Sequence, residues 1–348
     1  MTAKAAPEAG GGSLAVIGAG SWGTALAQLL MDKGHAVRLW AYEAEVYEEL
    51  SRHRTNHRFL PGVRLSSRLS VTQDFSEALA GAEVVVLALP SHVFRGILEQ
   101  LTPHLPPGAI LLSATKGIED DTFLTMEGVV REVVGAKTPY AVLGGPSFAR
   151  EVAHKVPTAV TIASRDQKVA RRLQRLFSTS AFRVYTSYDV TGVELGGAIK
   201  NIFAIGTGIL EGMGLGDNPR AALITRGLAE MTRLGLRLGA NPMTLAGLGG
   251  LGDLVLTCSS KQSRNFQVGY RLGLGETLED ILGSMDMVAE GVKNARAVHL
   301  LSQRLGVEMP LVQAVYRILY EGLSPREAIK NLMNRELKDE WEAMSETW

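Results

Sequence analysis

The stretch that most constrains the fold is LAVIGAGSWGTALAQLLMDKGHAVRLWAYEAE, residues 14–45. A short apolar run leads into Gly18, Gly20 and Gly23, and the helical pattern that follows can end at Gly34 before a second apolar run. In this setting the three glycines serve a tight turn, close approach of a pyrophosphate, and close packing of helix against strand. A glycine turn without a ligand is the weaker alternative, because the flanking patterns are those of a strand and a helix. The stretch therefore predicts a Rossmann-type dinucleotide-binding unit.

The same stretch indicates how a cofactor would be held. Ser21 and Trp22 begin the predicted helix, whose free N–H groups favour a pyrophosphate. Glu43 lies twenty residues after Gly23, where an acidic side chain bonds a ribose 2′-hydroxyl and disfavours a 2′-phosphate. This spacing favours NADH. Tyr42 either stacks on the adenine or packs at the strand end, and the sequence leaves both open.

Further strand-sized apolar runs alternate with helical patterns in the first half of the chain. They occupy residues 36–41, 83–90, 108–117, 140–146, 158–164 and 182–187. Such alternation predicts a mostly parallel sheet covered on both faces. From residue 190 to about 335 the periodicity is helical, and Ser324, Pro325 and Glu327 form a helix start signal. We therefore expect an α/β chain with a flexible tail (1–13), an NAD(P)-binding Rossmann-type domain (14–188), an all-helical domain (189–335) and a second tail (336–348).

Charge and cysteine content exclude several classes of partner. The chain has 36 basic and 36 acidic residues, so it has no overall basic field for nucleic acid or an anionic membrane. Cys258 is the single cysteine, which excludes an internal disulfide and suits a reducing cytosol. The first 13 residues lack the apolar core of a secretory signal, and the longest apolar runs are shorter than a membrane span. We expect a cytoplasmic protein without membrane insertion, and we predict no metal site.

Two lysines stand out from their surroundings. Lys116 follows the apolar run 109–114, at a strand end where open α/β sheets bind ligands, although an ordinary surface lysine is the alternative. Lys200 lies in LGGAIKNIFAIG (195–206), which contains no acidic residue. On a helix Gly196, Gly197 and Lys200 share one face, so the glycines allow another backbone or a ligand to approach the amine. Lys200 is then either a general acid and base or a lysine that snorkels to solvent, and this stretch alone does not decide.

A second polar cluster lies at residues 247–269. Asp253 and Thr257 are one helical turn apart and would point the same way. Ser263, Arg264 and Asn265 follow, and together they offer the forked and neutral donors that hold a phosphate. A surface salt bridge would explain Arg264 but not its two polar neighbours.

Six motifs together resemble one family. GAGSWGTALA, ATKGIE, LGGPSFA, ELGGAIKNIFAIGTGI, GLGDLVLTCSS with SRNF, and AEGV follow the order and spacing of bacterial NAD(P)-dependent glycerol-3-phosphate dehydrogenase, over about residues 14–335. The resemblance implies reversible reduction of dihydroxyacetone phosphate to sn-glycerol 3-phosphate, the backbone supply for phospholipids. It also implies a helical C-terminal domain like that of 6-phosphogluconate dehydrogenases.

The resemblance implies roles for individual residues. Lys200 would be the proton donor and acceptor, with Asp253 and Thr257 beside it. The implied substrate residues are Lys116, Gly145, Ser147, Lys200, Asp253, Ser263, Arg264 and Asn265. The implied cofactor residues are Ser21, Trp22, Tyr42, Lys116, Ala149, Arg264, Val288 and Glu290, in addition to Gly18, Gly20, Gly23 and Glu43 of the first motif. NAD(H), NADP(H) or both are the expected cofactors.

One departure and two alternatives accompany this interpretation. Tyr42 stands where relatives often have His or Arg, so a 2′-phosphate is less welcome. A β-hydroxyacid or 6-phosphogluconate dehydrogenase of the same plan would need a carboxylate site instead of the Ser-Arg-Asn cluster. A non-catalytic dinucleotide-sensing module would not need Lys116, Lys200 and Asp253 together. The sequence leaves the oligomeric state open, with a homodimer as one alternative.

Overall fold

A computed structural model describes residues 13–285 and 289–340. Its first half is an eight-stranded sheet with strand order β3-β2-β1-β4-β5-β6-β7-β8, in which all neighbours are parallel except the antiparallel pair β6 and β7. The strands are β1 (Ser13–Ile17), β2 (Val37–Trp40), β3 (Ser70–Thr72), β4 (Ala82–Leu87), β5 (Ile110–Ser113), β6 (Tyr140–Gly144), β7 (Thr158–Ala163) and β8 (Phe182–Ser187).

Helices connect these strands and cover the sheet on both sides. They are α1 (Ser21–Asp32), α2 (Ala44–His53), α3 (Phe75–Leu79), α4 (Ser91–Leu101), α5 (Met126–Val133), α6 (Ala149–Ala153) and α7 (Gln167–Phe177), with a short 3₁₀ turn at Thr102–His104. Side chains of β1 alternate between two apolar cores: Leu14 and Val16 pack into one, while Ala15 and Ile17 pack into the other. This two-sided burial is why the strands read as continuous apolar runs.

The predicted strands are all present, and β1 begins at Ser13, one residue before its predicted start. The sequence reading missed β3, a three-residue edge strand of sequence SVT that has no apolar run. Gly34 ends the first helix as predicted, because its φ of +92° turns the chain after α1.

After residue 188 the described chain is helical. Its helices are α8 (Val190–Gly212), α9 (Asp217–Arg237), α10 (Pro242–Leu245), α11 (Asp253–Ser259), α12 (Arg264–Gly273), α13 (Leu278–Gly283), α14 (Glu290–Leu305), α15 (Pro310–Tyr320) and α16 (Pro325–Met333), with a π-helical turn at Leu248–Gly252. The predicted start of α16 is confirmed: Pro325 is its first residue, and Ser324 caps it by accepting the Glu327 N–H.

Helix α8 is the centre of the helical part. It is long and apolar enough to span a membrane by composition, but all of that apolar window is buried inside the fold. A helix that is apolar on all sides must be surrounded by other elements, and glycines allow those elements to approach its backbone closely. A Cβ on Gly208 would lie 2.1 Å from the Phe266 carbonyl oxygen, and one on Gly269 would lie 1.9 Å from that of Ile205, so α8 and α12 pack backbone to backbone.

The start of α8 also fastens the helical part to the sheet. Glu194 is buried, and its Oε1 accepts hydrogen bonds from the Tyr140 hydroxyl at 2.5 Å and the Glu127 backbone N–H at 2.9 Å. Burial raises the pKa of Glu194 to about 7, because the charged form loses its hydration. This carboxyl therefore joins α8 to β6 and α5 as a largely neutral group at acidic pH.

Candidate active site

The glycine turn after β1 is built as a dinucleotide loop. Gly18 has a φ of +110°, and a Cβ there would lie 2.4 Å from the Ala88 carbonyl oxygen. A Cβ on Gly23 would lie 1.9 Å from the Gly18 carbonyl oxygen, so α1 packs directly on the turn. A Cβ on Gly20 would meet nothing within 4 Å, so Gly20 faces the open side of the loop. The tight turn thus falls on Gly18 and the close helix packing on Gly23, while approach of a pyrophosphate at Gly20 stays a prediction.

Polar groups around the same loop also fit a dinucleotide. Trp22 Nε1 is buried and has no hydrogen-bond partner among the described residues, so a donor points into this region unused. Ser21 Oγ donates to the Phe59 carbonyl at 2.5 Å, which ties the loop before β3 to the start of α1. The first turn of α1 contains no acidic residue, which leaves the helix N-terminus suited to an anion.

The end of β2 lies beside this loop, since the Gly18 N–H donates to the Trp40 carbonyl oxygen at 3.1 Å. Glu43 is the N-cap residue of α2 and is half-buried. Tyr42 is 72% exposed, with its ring centroid 6.1 Å from that of Trp40. The alternatives for Tyr42, adenine stacking or packing at the strand end, therefore both remain predictions.

Four predicted residues meet at one point beneath α8. Lys200 Nζ donates to Asp253 Oδ1 at 2.5 Å and to Thr257 Oγ1 at 2.8 Å. Lys116 Nζ donates to Asp253 Oδ2 at 2.7 Å. The Thr257 hydroxyl in turn donates to the Asp253 carbonyl oxygen at 2.6 Å. One carboxylate therefore bridges two ammonium groups, one from the loop after β5 and one from α8.

The burial of this cluster decides between the alternatives for Lys200. Lys200 is 5% exposed and Asp253 is 1% exposed, so the amine does not snorkel to solvent. Burial lowers the pKa of Lys200 to about 7; the carboxylate of Asp253 opposes this shift and the charge of Lys116 adds to it. Burial acts to raise the pKa of Asp253, but the two lysines outweigh it and hold that pKa below its usual value. Lys200 is thus a buried amine whose pKa lies near neutral pH, which suits a general acid and base.

The glycines of LGGAIK make the cluster possible. A Cβ on Gly196 would lie 2.2 Å from the Gly249 carbonyl oxygen, so α8 packs against the π-helical turn that leads into Asp253. A Cβ on Gly197 would lie 3.4 Å from Lys116 Cγ, so the Lys116 side chain crosses α8 over this glycine. The prediction that backbone or ligand approaches beside the amine is confirmed for backbone, and the approach also admits a second lysine.

The predicted phosphate residues lie at the N-terminus of α12. Ser263 is its N-cap and accepts the Phe266 N–H, while Arg264 and Asn265 are its first two residues. Arg264 is exposed and Asn265 is buried. Asn265 Oδ1 accepts the Gly291 N–H at 2.8 Å, which fixes the orientation of its amide and leaves the Nδ2 donors for a ligand.

The loop after β6 closes the site from the other side. Gly145 has a φ of +129°, and Ser147 Oγ donates to its carbonyl oxygen at 3.0 Å. A Cβ on Gly252, the residue before Asp253, would lie 3.4 Å from Pro146 Cδ. Ala149 begins α6 on the same loop. Contacts with Gly252 thus bring LGGPSFA to the Asp253 cluster.

Glu290 begins α14, and its carboxylate accepts hydrogen bonds from Ser91. Val288, also expected to contact the cofactor, lies outside the described residues. Among residues 13–285 and 289–340 no group of three or more His, Cys, Asp or Glu side chains is placed to hold a metal ion.

Comparison with known proteins agrees with this geometry. The family model for the NAD-dependent glycerol-3-phosphate dehydrogenase N-terminus matches residues 13–170, and the model for the C-terminus of the same enzymes matches residues 189–330. The chain belongs to this family. A glycerol-3-phosphate dehydrogenase (NAD(P)+) of Geobacter sulfurreducens is 56% identical over 329 residues, which are 94% of this chain and 98% of that protein.

Solved structures of the glycerol-3-phosphate dehydrogenase family confirm the fold. The crystal structure of the Coxiella burnetii glycerol-3-phosphate dehydrogenase superposes with a TM-score of 0.90 at 42% identity, covering 93% of this chain and 99% of that one. A ketopantoate reductase from Ralstonia eutropha reaches a TM-score of 0.58 at 17% identity, covering 91% of this chain and 99% of that one. The latter shares only the fold, so family membership rests on the former and on the family models.

Sequence reasoning found the members of the Lys200 cluster but missed parts of their support. The contact between Lys116 and Asp253 spans 137 positions and leaves no local pattern. The stretch LPSHVF (89–94) is a candidate for ligand binding from its place at the carboxyl end of a strand, but no role was predicted for Ser91, which begins α4 within it.

Proposed function

We propose that this chain catalyses the NAD(P)H-dependent, reversible reduction of dihydroxyacetone phosphate to sn-glycerol 3-phosphate. The observation that carries the proposal is the buried bridge Lys116–Asp253–Lys200, in which Lys200 has a pKa of about 7. It lies in a chain whose glycine loop fits a dinucleotide and whose α12 N-terminus offers donors for a phosphate. Relatives above 50% identity over nearly the whole chain bear the name of this enzyme.

Bound NAD(P)H would supply the hydride to C2 of the ketone. Lys200 would give a proton to the C2 oxygen, so that hydride and proton together convert the ketone to a secondary alcohol and leave Lys200 neutral. In the reverse direction neutral Lys200 would take the proton of the hydroxyl. Positioned proton transfer of this kind contributes about a hundred- to ten-thousand-fold in rate.

Asp253 and Thr257 would hold Lys200 in place. Asp253 occupies one N–H of the Lys200 ammonium and Thr257 occupies a second, which leaves the third for the substrate. Because the Thr257 hydroxyl already donates to the Asp253 carbonyl, we assign Thr257 to positioning the amine. Lys116 shares the carboxylate and would place a second positive charge beside the developing alkoxide.

The phosphate would be held by Ser263, Arg264 and Asn265 at the start of α12, with Gly145 and Ser147 on the facing loop. The fixed amide of Asn265 would present donors only, which suits an anion. Binding energy from this remote group would help orient C2 against the hydride donor, so its loss would lower turnover as well as affinity.

The cofactor would lie along the glycine loop. Gly18, Gly20, Ser21, Trp22 and Gly23 would surround the pyrophosphate, and Tyr42 with Glu43 would face the adenosine end. The residues that would reach the cofactor from nearer the substrate are Lys116, Ala149, Arg264, Val288 and Glu290. Glu43 supports a preference for NADH over NADPH.

Several further proposals concern the setting of the reaction. We propose a division near residue 188, because β8 ends at Ser187 and α8 begins at Val190. We also propose a role in supplying the phospholipid backbone, a cytoplasmic location, and a homodimer as the oligomeric state to be tested.

Steady-state kinetics of NADH and NADPH oxidation with dihydroxyacetone phosphate test the function. Dihydroxyacetone is the comparison substrate in the direction of ketone reduction. β-Hydroxyacids are the comparison substrates in the direction of alcohol oxidation. We expect turnover of the phosphorylated ketone, and a Lys200→Met variant that binds NADH normally but is nearly inactive. Turnover of a hydroxyacid instead would indicate the alternative dehydrogenase, and tight NADH binding without any turnover would indicate a sensing module.

A further inference from the structure

A serine of the sheet part is bonded to a carboxylate of the helical part at the edge of the site. Ser91 Oγ donates to Glu290 Oε2 at 2.6 Å, and the Ser91 backbone N–H donates to Glu290 Oε1 at 3.2 Å. Ser91 is the first residue of α4 and Glu290 is the first residue of α14. Both oxygens of one carboxylate are therefore held by one residue that lies 199 positions away.

The position favours a small hydroxyl side chain. A Cβ on Gly117 would lie 2.4 Å from Ser91 Cβ and 2.6 Å from Ser91 Oγ, so the loop that carries Lys116 packs directly against this serine. Ser91 itself is 5% exposed. A larger side chain would displace the Lys116 loop, whereas alanine would keep the packing and lose only the hydroxyl bond.

The interaction between the N-terminus of α4 and the Glu290 carboxylate is electrostatically favourable for both groups. The N-terminus of α4 carries unpaired N–H groups and the positive end of the helix dipole, and Glu290 supplies the acceptor that this helix lacks in its own N-cap residue, Pro90. Arg264 and Lys293 attract the same carboxylate. The hydrogen bonds from Ser91 thus fix the orientation of the Glu290 carboxylate, which Arg264 and Lys293 also attract.

Asn294 adds a second link one turn further along α14. Its Nδ2 donates to the Ala198 carbonyl oxygen of α8 at 3.0 Å, and the residue is fully buried. The first turns of α14 are therefore fixed on α8, and Ser91 fixes the carboxylate that projects from them.

We propose that Ser91 is a positioning residue that sets the orientation of Glu290 toward the cofactor and so contributes to NADH affinity. The inference rests on the proposed assignment of Glu290 to the cofactor site. Ser91 acts through Glu290 alone, so its contribution vanishes when Glu290 is truncated.

A double-mutant cycle on the full-length protein tests this. NADH dissociation constants are measured by fluorescence titration for wild type, Ser91→Ala, Glu290→Ala and the double variant. We expect Ser91→Ala to weaken NADH roughly fivefold, the equivalent of one hydrogen bond, with a larger loss for Glu290→Ala and no additional loss in the double variant. For Ser91→Ala the kcat at saturating NADH and the KM for dihydroxyacetone phosphate should change less than about twofold, since the bond acts on cofactor binding and not on the proton transfer.

Ser164→Ala is the matched control, because Ser164 is a buried serine of the same sheet part that donates a 2.6 Å bond to the Tyr140 carbonyl. It should lose stability without losing NADH affinity. A Ser91→Ala variant that binds NADH as Ser164→Ala does, or whose loss persists in the Glu290→Ala background, would overturn the proposal. Unchanged NADH binding by Glu290→Ala would overturn it together with the cofactor role of Glu290, while the Lys200→Met kinetics would still decide the reaction.

Discussion

The bridge between two lysines makes an asymmetric prediction about stability. Lys200→Met and Asp253→Asn each remove one end of the same 2.5 Å ion pair, but they leave different charges behind. In Lys200→Met the carboxylate keeps Lys116 at 2.7 Å, so one cation still faces one anion. In Asp253→Asn the buried Lys200 amine and the half-buried Lys116 ammonium lie close together without a counter-charge.

The magnitudes follow from burial. Asp253 is 1% exposed and the Lys200 side chain 7%, so solvent screens the pair little. Removing the partner of a buried charge costs about 3–5 kcal/mol when the remaining charge is left uncompensated. Lys200→Met avoids that cost because Asp253 keeps its contact with Lys116. We therefore expect Asp253→Asn to lose about 3–5 kcal/mol of unfolding free energy and Lys200→Met to stay within about 1 kcal/mol of wild type.

The assay is urea unfolding at pH 6, followed by circular dichroism. At this pH Lys200 of the wild type is protonated, since its pKa is about 7, so the ion pair that the substitutions remove is formed. The slope of free energy against urea should be equal in the three proteins, so that shifts in midpoint report stability. Both variants should also lose about a hundred- to ten-thousand-fold in kcat. A Lys200→Met protein as unstable as Asp253→Asn would refute the bridging role of the carboxylate.

The remaining predictions concern substrate, cofactor and pH. Arg264→Ala should lower kcat/KM about ten- to hundredfold for dihydroxyacetone phosphate and far less for unphosphorylated dihydroxyacetone, because only the former loses a charged hydrogen bond. Equal losses of kcat/KM for the two substrates would mean that Arg264 serves the cofactor or the fold instead. Wild type should show a higher kcat/KM with NADH than with NADPH, and Glu43→Ala should narrow that ratio by roughly fivefold, the equivalent of about 1 kcal/mol of charge repulsion. A tenfold preference of wild type for NADPH would contradict this. For Lys200, kcat/KM for ketone reduction should fall as pH rises through about 7, because the acid loses its proton, and the oxidation direction should rise over the same range. Burial raises the pKa of Glu194 to about 7, so its contribution to stability is full below its unfolded value of about 4.5 and is lost as pH rises through 7. Between pH 5 and pH 8 the free energy of unfolding in urea should fall less for Glu194→Gln than for wild type, by up to about 3 kcal/mol. An equal fall in both proteins would count against a neutral buried carboxyl.

The βαβ arrangement could be predicted from sequence because its signals are local. The glycine spacing at 18, 20 and 23 is a local motif between a strand and a helix, and the apolar runs report burial of each strand on both faces. The edge strand β3 could not be predicted, since a three-residue strand exposed on one side needs no apolar run. Likewise the π-helical turn at Leu248–Gly252 packs against Gly196 of α8 through the Gly249 carbonyl, a contact that no window of local sequence contains.

The residues of the site could be predicted from sequence, but the contacts among them could not. Lys200 was conspicuous because no acidic residue accompanies it locally, and its partner Asp253 comes from 53 positions away. Local sequence could not show that Lys116 shares the same carboxylate, because that distance depends on how β5 and α11 are placed relative to α8. The polar cluster at 247–269 favoured a general acid and base over a snorkelling amine, and the fold shows the burial itself, with Lys200 5% exposed.

The site carries more positive than negative charge before substrate binds, and this excess affects when Lys200 holds its proton. Lys116 and Lys200 against Asp253 leave one net positive charge, and Arg264 adds a second that Glu290 offsets in part. A phosphate dianion brings two negative charges, so the excess positive charge of the free site is neutralised in the proposed complex. The excess positive charge disfavours a protonated Lys200 before the substrate binds, and the dianion reverses that effect when it arrives. The amine would therefore hold its proton most firmly in the complex, which is where the proposed reaction needs the proton at C2.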